Sequence, residues 1–305
     1  MVQHINFDGI NTLPIPFKGC QNGLHSPPTS IRVLSPPAPA MHYLNEPTVL
    51  LPEIPTEKVP PLYDGRRATL SLNIIIVGAG LGGLAAAHTL AHAGHRVTLL
   101  ESTRVLGEVG AGIQVSPNAT RLLLRWGLGP ALHAYGVEPS AIVFRRYDTG
   151  ELIGYTGCVP RMARDHGAPY YQVHRADYYA MLYHLACTAP GVRIRLGARV
   201  CDVQPDPAVV GAPSVTLASG EVLYADLIVG ADGVKSKLQK AATGLDEQPT
   251  PTGDAAYRAV ISTDVMLQDP ELRPFVESAE GNVWMAPGRH LGAYCIVRTI
   301  VGTNS

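Results

Sequence analysis

The residues with the clearest chemical meaning are the glycines of Gly-Ala-Gly-Leu-Gly-Gly at 78–83, which follow a short β-branched run and precede an alanine-rich run. At these spacings Gly78 permits a tight turn, and Gly80 lets backbone amides approach a pyrophosphate. Gly83 lets a helix pack close to the preceding strand. The pattern therefore predicts a turn that binds the phosphates of a dinucleotide.

A dinucleotide-binding turn of this kind is accompanied by an acidic residue at the end of the next strand, and Glu101 has that position. Glu101 directly follows the second predicted strand, Arg96 to Leu100, and its carboxylate can accept hydrogen bonds from a ribose diol. The alternative is a solvated charge at the end of a strand. The order of strand, glycine turn, helix, strand and acid favours the dinucleotide interpretation, but it does not separate FAD from NAD.

Three later segments do separate the two cofactors. They read Glu-Val-Gly-Ala-Gly-Ile-Gln-Val-Ser-Pro-Asn at 108–118, His-Arg-Ala-Asp at 174–177 and Gly-Ala-Asp-Gly-Val-Lys-Ser at 230–236. In this order and at these separations they resemble the salicylate hydroxylase-like branch of the class A FAD-dependent aromatic monooxygenases, which share the para-hydroxybenzoate hydroxylase fold. The resemblance runs from about Leu72 to Val297.

Within these segments four residues are candidates for contact with FAD. Ala111 and Gly112 let backbone come close to a flat ligand, although a plain turn would also need glycine. Arg175 precedes a predicted helix and has donors for a phosphate or ribityl oxygen, the alternative being a surface arginine. Asp232 follows a buried strand, at the sheet edge where ligands of open α/β folds bind. The resemblance implies that these residues contact FAD, and that Asp232 with Gly233 is linked to use of NADH or NADPH.

Two features depart from the family pattern. The family usually has arginine three residues after the serine of the third segment, whereas here Ser236 is followed by Gln239. We therefore expect weaker binding of FAD or of its reductant. The family also continues into a second flavin motif, a Gly-Asp followed by a Gly-Gln-Gly loop, which these 305 residues do not contain. We expect from this that the chain is truncated at its C-terminus.

The candidates for catalysis lie further along the chain. Arg258 is in the predicted strand 257–261, where the resemblance implies that it points at a phenolic substrate; a buried arginine needs such a partner, but a structural ion pair would also serve. His290 and Tyr294 are four residues apart, so on a strand both face the same side. The resemblance places them against the substrate hydroxyl, where they could help remove its proton. A core histidine with a structural partner is the alternative for His290.

The predicted elements that position these residues define an α/β fold, a Rossmann-like FAD-binding domain with an incomplete, mostly antiparallel substrate domain. We place the FAD-binding domain at 72–242, with a small hairpin insertion near 141–160, and the partial substrate domain at 243–305. Residues 1–71 carry twelve of the 26 prolines and show no sustained periodicity. Because proline removes backbone donors and disfavours helix in the residue before it, we expect an irregular or disordered extension there.

Composition narrows the class of partner. Lys and Arg number 24 against 25 Asp and Glu, so no field of one sign would draw the chain to nucleic acid or to an anionic membrane. The five cysteines are scattered without metal-ligand spacing, so we expect no metal and a reducing compartment, the cytoplasm. The N-terminus lacks the basic and apolar regions of a secretory signal, so we expect no export. The apolar stretch at 74–93 is broken by glycines, so we expect a strand and a helix there and no membrane span.

The function that the resemblance implies is hydroxylation of a phenolic or polyketide-type aromatic ring by FAD, NADH or NADPH, and oxygen. Two alternatives remain open at this point. The chain could be a non-catalytic remnant that retains a nucleotide-binding unit, or a flavin-dependent oxidase or dehydrogenase on the same scaffold. The sequence does not identify the substrate, the nicotinamide or the oligomeric state.

Overall fold

A computed structural model describes residues 53–106, 111–205 and 211–296, together with the backbone of 2–8. The start of the 108–118 segment, up to residue 110, lies outside this part of the chain, as does most of the proline-rich extension. No helix in the described part is long and apolar enough to cross a membrane.

A parallel four-stranded sheet forms the centre of the FAD-domain region. Its strands are β2 (Asn73–Val77), β3 (Arg96–Leu100), β9 (Val192–Arg195) and β13 (Leu227–Gly230), in the order β13-β2-β3-β9. Parallel strands covered on both faces are apolar throughout, and this is why Ile74 to Val77 form an unbroken β-branched run.

Two helices, Leu81–His92 and Arg175–Thr188, cover one face of this sheet. The described helices are α1 (Leu81–His92), α2 (Pro117–Arg125), α3 (Gly129–Tyr135), α4 (Arg161–His166), α5 (Arg175–Thr188), α6 (Leu238–Thr243), α7 (Thr263–Gln268) and α8 (Arg273–Glu277). Ile74 and Ile76 pack with Leu84 of α1 and Met181 of α5 in the largest buried cluster. Proline occupies the first position of α2, directly after Ser116, whose side chain makes no capping hydrogen bond.

An antiparallel sheet covers the other face. It consists of β10 (Val200–Gln204), β11 (Ser214–Leu217) and β12 (Val222–Tyr224). Ile75 and Val77, whose side chains alternate with those of Ile74 and Ile76, pack there against Val215 and Leu217. A further antiparallel sheet, in the order β4-β8-β5, contains β4 (Gly112–Val115), β5 (Gly136–Val137) and β8 (Tyr171–His174).

The remaining strands form a six-stranded sheet. They are β1 (Val2–Asp8), β6 (Ala141–Arg146), β7 (Leu152–Gly157), β14 (Asp254–Val260), β15 (Glu280–Ala286) and β16 (Arg289–Tyr294), in the order β14-β1-β16-β15-β6-β7. Apart from the parallel pair of β15 with β6, its strands are antiparallel. The predicted α/β class, with a mostly antiparallel second region, is confirmed.

The predicted hairpin insertion does not stand apart. Its two strands, β6 and β7, occur where the sequence places them, but β6 pairs with β15 along residues 141–146. The hairpin is therefore continuous with the sheet that contains the 243–305 strands. Side-chain periodicity predicts the two strands of the hairpin. It does not predict that β6 also pairs with β15, because β15 lies about 140 residues further along the chain.

The expected irregular or disordered extension over residues 1–71 is wrong at one strand, whereas residues 53–71 are irregular as expected, apart from one short 3-10 turn, but are packed. Val2–Asp8 is a strand that pairs with β14 and β16. Residues 53–71 pack against the FAD-domain region: the Glu57 amide donates to the Gly127 carbonyl at 3.0 Å, and Ile54 is 4% exposed. The prolines exclude helix and ladder pairing over 53–61, but they do not prevent an extended segment from burying an apolar side chain.

Candidate functional site

The glycine turn has the geometry that its spacing predicts. Gly78 has a φ of +102°, and a Cβ there would lie 2.3 Å from the Ala231 carbonyl oxygen. A Cβ on Gly83 would lie 1.9 Å from the Gly78 carbonyl oxygen, so helix α1 approaches the turn as closely as glycine permits. Around Gly80, by contrast, a Cβ would meet no atom within 4 Å. The turn therefore leaves no space for a side chain at Gly78 or Gly83, whereas the space around Gly80 is open.

Glu101 lies beside this turn. Its carboxylate accepts a hydrogen bond from the Ala79 amide at 2.9 Å and others from the Thr103 amide and the Ser102 hydroxyl. Partial burial raises the pKa of Glu101, but the hydrogen bonds outweigh this and hold the pKa below its ordinary value. An ionised acceptor next to the start of α1 is the arrangement that recognition of a ribose diol requires.

These residues line one cavity of about 360 Å³, which we call the glycine-loop cavity. It contains Gly78, Gly80, Glu101, Asp232 and Gly233, all singled out from the sequence. Sequence reasoning missed three basic residues of its wall, Arg199, Lys235 and Lys237. The two lysines come three and five residues after Asp232, so their proximity in the chain was a usable signal. Positive charge here complements the phosphates that the turn is shaped to accept.

Asp232 makes hydrogen bonds within its own loop. Its carboxylate accepts from the Ser236 hydroxyl and from the Lys237 amide, both at 2.7 Å. These bonds hold the loop that leads from β13 into α6. Asp232 therefore shapes one wall of the glycine-loop cavity in addition to lining it.

Strand β4 and the start of α5 bring the other cofactor candidates together. The Arg175 amide donates to the Ala111 carbonyl at 2.8 Å, which ties the two segments. A Cβ on Gly112 would lie 2.6 Å from the Tyr294 ring. Glycine at 112 is therefore required by close packing against Tyr294, a reason that the sequence alone did not disclose.

A second cavity, of about 460 Å³, lies where β4 meets the six-stranded sheet, and we call it the sheet cavity. Its lining includes Gly112, Arg175 and all three catalytic candidates, Arg258, His290 and Tyr294. His290 and Tyr294 are both on β16 and both face the cavity, as their four-residue spacing predicts. The structure thus brings together residues that are as far as 182 positions apart in the chain.

The position of Arg258 differs from the expectation that it is buried. We expected a buried arginine, yet Arg258 lies on β14, whose residues are all exposed. β14 is at the end of the six-stranded sheet, so one of its edges has no neighbouring strand in the described chain. Its guanidinium therefore needs no buried counter-ion and reaches the sheet cavity from its rim.

Tyr294 is protonated at neutral pH in this environment. Burial raises its pKa, and the nearby positive charge of Arg258 only partly opposes that effect. A protonated tyrosine donates a hydrogen bond to an oxygen and cannot itself act as the base. Of the pair on β16, His290 is then the residue suited to accept a proton.

The residues of the glycine-loop cavity fit a dinucleotide cofactor. No group of three or more His, Cys, Asp or Glu side chains capable of holding a metal ion occurs in the described part of the chain. The glycine-loop cavity, in contrast, has open backbone at Gly80, a helix N-terminus, a ribose acceptor and basic walls.

Curated relatives match most of this chain. The FAD-dependent monooxygenase OpS4 of Beauveria bassiana is 36% identical over 227 residues, which are 74% of this chain and 52% of that protein. The 3-hydroxybenzoate 6-hydroxylase 1 of Aquipseudomonas alcaligenes is 36% identical over 223 residues, 73% of this chain and 54% of that protein. The chain spans about half the length of the curated relatives it matches.

Solved structures share the fold. The crystal structure of CtdE in complex with FAD and a substrate superposes with a TM-score of 0.61 at 22% identity, covering 75% of this chain and 58% of that one. At this identity the likeness concerns the fold alone. Residues 71–299, which include both cavities, match the model of the family described as FAD binding domain, and this chain belongs to that family of FAD-binding proteins.

Proposed function

We propose that the protein is a monooxygenase that hydroxylates a phenolic or polyketide-type aromatic substrate, using FAD, NADH or NADPH, and oxygen. The observation that carries the proposal is the sheet cavity. There Tyr294 lies against Gly112, and Arg258 and His290 line the same space as Arg175. A cofactor-side arginine and three polar groups suited to a phenol thus share one cavity.

The chain's own residues would hold FAD as follows. The Gly80 amide and the N-terminus of α1 would take the pyrophosphate, with Gly78 providing the tight turn, and Glu101 would take the adenosine ribose. Arg175 and the backbone of Ala111 and Gly112 take the flavin end. Bound FAD supplies the redox chemistry, accepting electrons from the nicotinamide and activating oxygen for transfer to a ring carbon.

Three residues of the sheet cavity would contact the substrate and favour its deprotonation. Tyr294 donates a hydrogen bond to the phenol oxygen, and the positive charge of Arg258 favours the phenolate over the phenol. His290 accepts the phenol proton. A phenolate ring is richer in electrons than a phenol and so reacts more readily with an electrophilic oxygen.

The test uses the purified chain with FAD, NADH or NADPH, and 3-hydroxybenzoate as the first aromatic probe. Binding of FAD is measured by the change in flavin absorbance, and turnover by oxygen uptake and by hydroxylated product. Tyr294→Phe keeps the ring beside Gly112 but removes the hydroxyl, so we expect product formation to fall about tenfold or more with FAD affinity unchanged. Tyr224→Phe, at an exposed tyrosine of β12, is the matched control.

Three results would count against the proposal. A colourless chain that ignores added FAD would support the non-catalytic remnant. Oxidation of the aromatic compound without a hydroxylated product would support an oxidase or dehydrogenase. Equal loss of activity in Tyr294→Phe and Tyr224→Phe would remove Tyr294 from the site.

A further inference from the structure

The outer strand of the 141–157 hairpin presents apolar side chains to solvent. This strand, β7, is at one end of the six-stranded sheet, so in the described chain one of its edges has no neighbouring strand. Five apolar residues of the hairpin and its flank are more than half exposed: Tyr147, Leu152, Ile153, Tyr155 and Val159. We call these five residues the hairpin patch. Contiguous exposed apolar surface of this kind marks interaction sites.

The register of the hairpin places two large side chains of the patch on one face. Tyr155 is directly opposite Val143 of β6. A register shift of one residue near the turn then makes Leu152 the partner of Arg145, two residues further along β6. Because Val143 and Arg145 share a face, Leu152 and Tyr155 share it too, although they are three residues apart.

The hairpin patch is separate from the sheet cavity. Thr156 of β7 is opposite Ile142, and Ile142 lines the sheet cavity. Tyr155 is next to Thr156 in the strand, so its side chain points to the other face of the sheet. A molecule bound at the patch therefore leaves the sheet cavity open.

The edge of β7 has little protection against pairing with another strand. Edge strands are usually protected by charged side chains, by proline or by a bulge. The sequence of β7, Leu-Ile-Gly-Tyr-Thr-Gly at 152–157, contains no charged residue and no proline, and its register shift is confined to the end near the turn. β14, at the opposite end of the sheet, carries Asp254 and Arg258.

Charges at the two ends of β7 complement each other. At the turn, Arg146 and Asp148 form an ion pair at 2.9 Å, and Glu151 adds a negative charge directly before β7. Beyond the other end, Arg161 and a second arginine of α4 share the carboxylate of Asp165, so positive charge is in excess there. A two-fold axis through the middle of β7 would bring the negative end of one copy to the positive end of the other.

The area of the patch indicates how strong such a contact is. A buried tyrosine contributes about 150 to 250 Å², so the two tyrosines of the patch offer roughly 200 to 300 Å² at their present exposure. With the three aliphatic side chains the patch approaches the area of about 600 Å² per partner that weak complexes bury. The contact therefore fits a reversible dimer and not a permanent one.

We propose that the hairpin patch is a self-association surface on which a second copy of this chain docks about a two-fold axis. The two β7 strands pair antiparallel along their free edges, and the patch of each copy is covered by that of the other. Glu151 of each copy contacts Arg161 of the other. The inference does not depend on the proposed function, because neither cavity takes part in the contact.

The first experiment is sedimentation equilibrium of the purified chain with FAD present, at concentrations from about 1 to 300 µM. We expect a monomer–dimer equilibrium with a Kd of about 1 to 100 µM. Ile153→Lys puts a charge on the pairing edge, so we expect it to raise the Kd about tenfold or more with an unchanged Tm. Val265→Lys, at a residue of α7 that is 60% exposed and outside the patch, should leave the Kd within about twofold of the wild type.

The second experiment tests the two-fold axis by mixing charge-reversed variants. Glu151→Arg and Arg161→Glu each place like charges at both ends of their own dimer, so we expect either variant alone to raise the Kd about fivefold or more. An equimolar mixture of the two restores opposite charges at both ends. We therefore expect the mixed dimer to have a Kd within about twofold of the wild type.

Three results would overturn the inference. They are a chain that stays monomeric at about 300 µM, a dimer that Ile153→Lys leaves unchanged, and a mixture of the charge-reversed variants that associates no more tightly than its components. A monomeric chain that binds phosphatidylcholine vesicles, and loses this binding in Ile153→Lys, would assign the patch to a lipid surface instead. Sedimentation does not require turnover, so these results are independent of whether the chain hydroxylates a substrate.

Discussion

At the scale of single residues, the adjacent glycines 82 and 83 differ completely in what surrounds them. Both are in the first turn of α1, yet a Cβ on Gly83 would overlap the Gly78 carbonyl, whereas a Cβ on Gly82 would meet no atom within 4 Å. The overlap is with backbone, so a side-chain rotation cannot relieve it. Gly83 is needed for contact between helix and turn, and Gly82 is not.

Gly83→Ala should therefore push the start of α1 away from the turn. We expect it to lower the free energy of unfolding by about 2 kcal/mol or more and to abolish measurable FAD binding, since in the proposed binding mode the phosphates contact the amides at the start of α1. The checks are urea unfolding and a flavin titration.

Gly82→Ala is the matched control, because alanine is the better helix former. We expect this variant to bind FAD as the wild type does and to gain about 0.5 to 1 kcal/mol of stability. Equal FAD affinity in the two variants would contradict the close approach seen at Gly83.

At the scale of elements, the extended segment 53–61 packs on the FAD-domain region without forming a helix or strand. It crosses the junction of α2 and α3, where the Glu57 amide bonds to the Gly127 carbonyl and the Tyr135 hydroxyl donates to the Glu53 carbonyl. Its one buried apolar side chain in the described cluster is Ile54. The segment is thus part of the core packing although it is neither helix nor strand.

Ile54→Ala should remove the buried side chain that holds this segment against the core. We expect the free energy of unfolding to fall by about 2 to 5 kcal/mol, the usual range for truncating a buried isoleucine. Leu70→Ala, at a residue that is 70% exposed, should change it by less than about 0.5 kcal/mol. Similar urea midpoints for the two variants would show that the segment does not pack in solution.

At the scale of the whole molecule, a buried histidine couples stability to pH. His88 of α1 is 5% exposed; its Nδ1 lies 3.3 Å from the Leu185 carbonyl on α5, and its ring packs edge-on against Trp126. Burial, and secondly the charge of His92, lower the pKa of His88 from 6.5 to about 4. The folded chain therefore holds His88 neutral where an unfolded chain would protonate it.

The sign of the effect follows from this difference. Between pH 6.5 and about 4 the unfolded state binds more protons at this position, so stability is complete above pH 6.5 and is lost as the pH falls toward 4. The loss from this group is at most about 3 kcal/mol. His88→Asn cannot titrate, so we expect its unfolding free energy to be lower at pH 7 but to depend less steeply on pH over this window.

Urea unfolding between pH 4.5 and 7.5 provides the measurement. His166→Asn, at an exposed histidine of α4, should keep the wild-type slope. An unchanged slope in His88→Asn would mean that His88 is not held neutral in the fold.

The sequence by itself determined the local elements and the class of cofactor. The limits of β2 and β3 and the turn at 78–83 follow from side-chain periodicity and from glycine, both of which act over a few residues. The FAD family followed from motifs that stand in a fixed order along the chain, and the match over residues 71–299 confirmed it.

Only the tertiary structure decided how distant segments combine. It joined the 141–157 hairpin to β15, placed Arg258 at an exposed rim, and set Gly112 against Tyr294. It also placed Leu152 and Tyr155 on one face of the hairpin, which strand alternation alone could not do without knowledge of the register. The physical reason is that strand pairing and close packing join residues far apart in the chain. The side-chain periodicity of one strand shows that it is a strand but does not show which distant strand it pairs with.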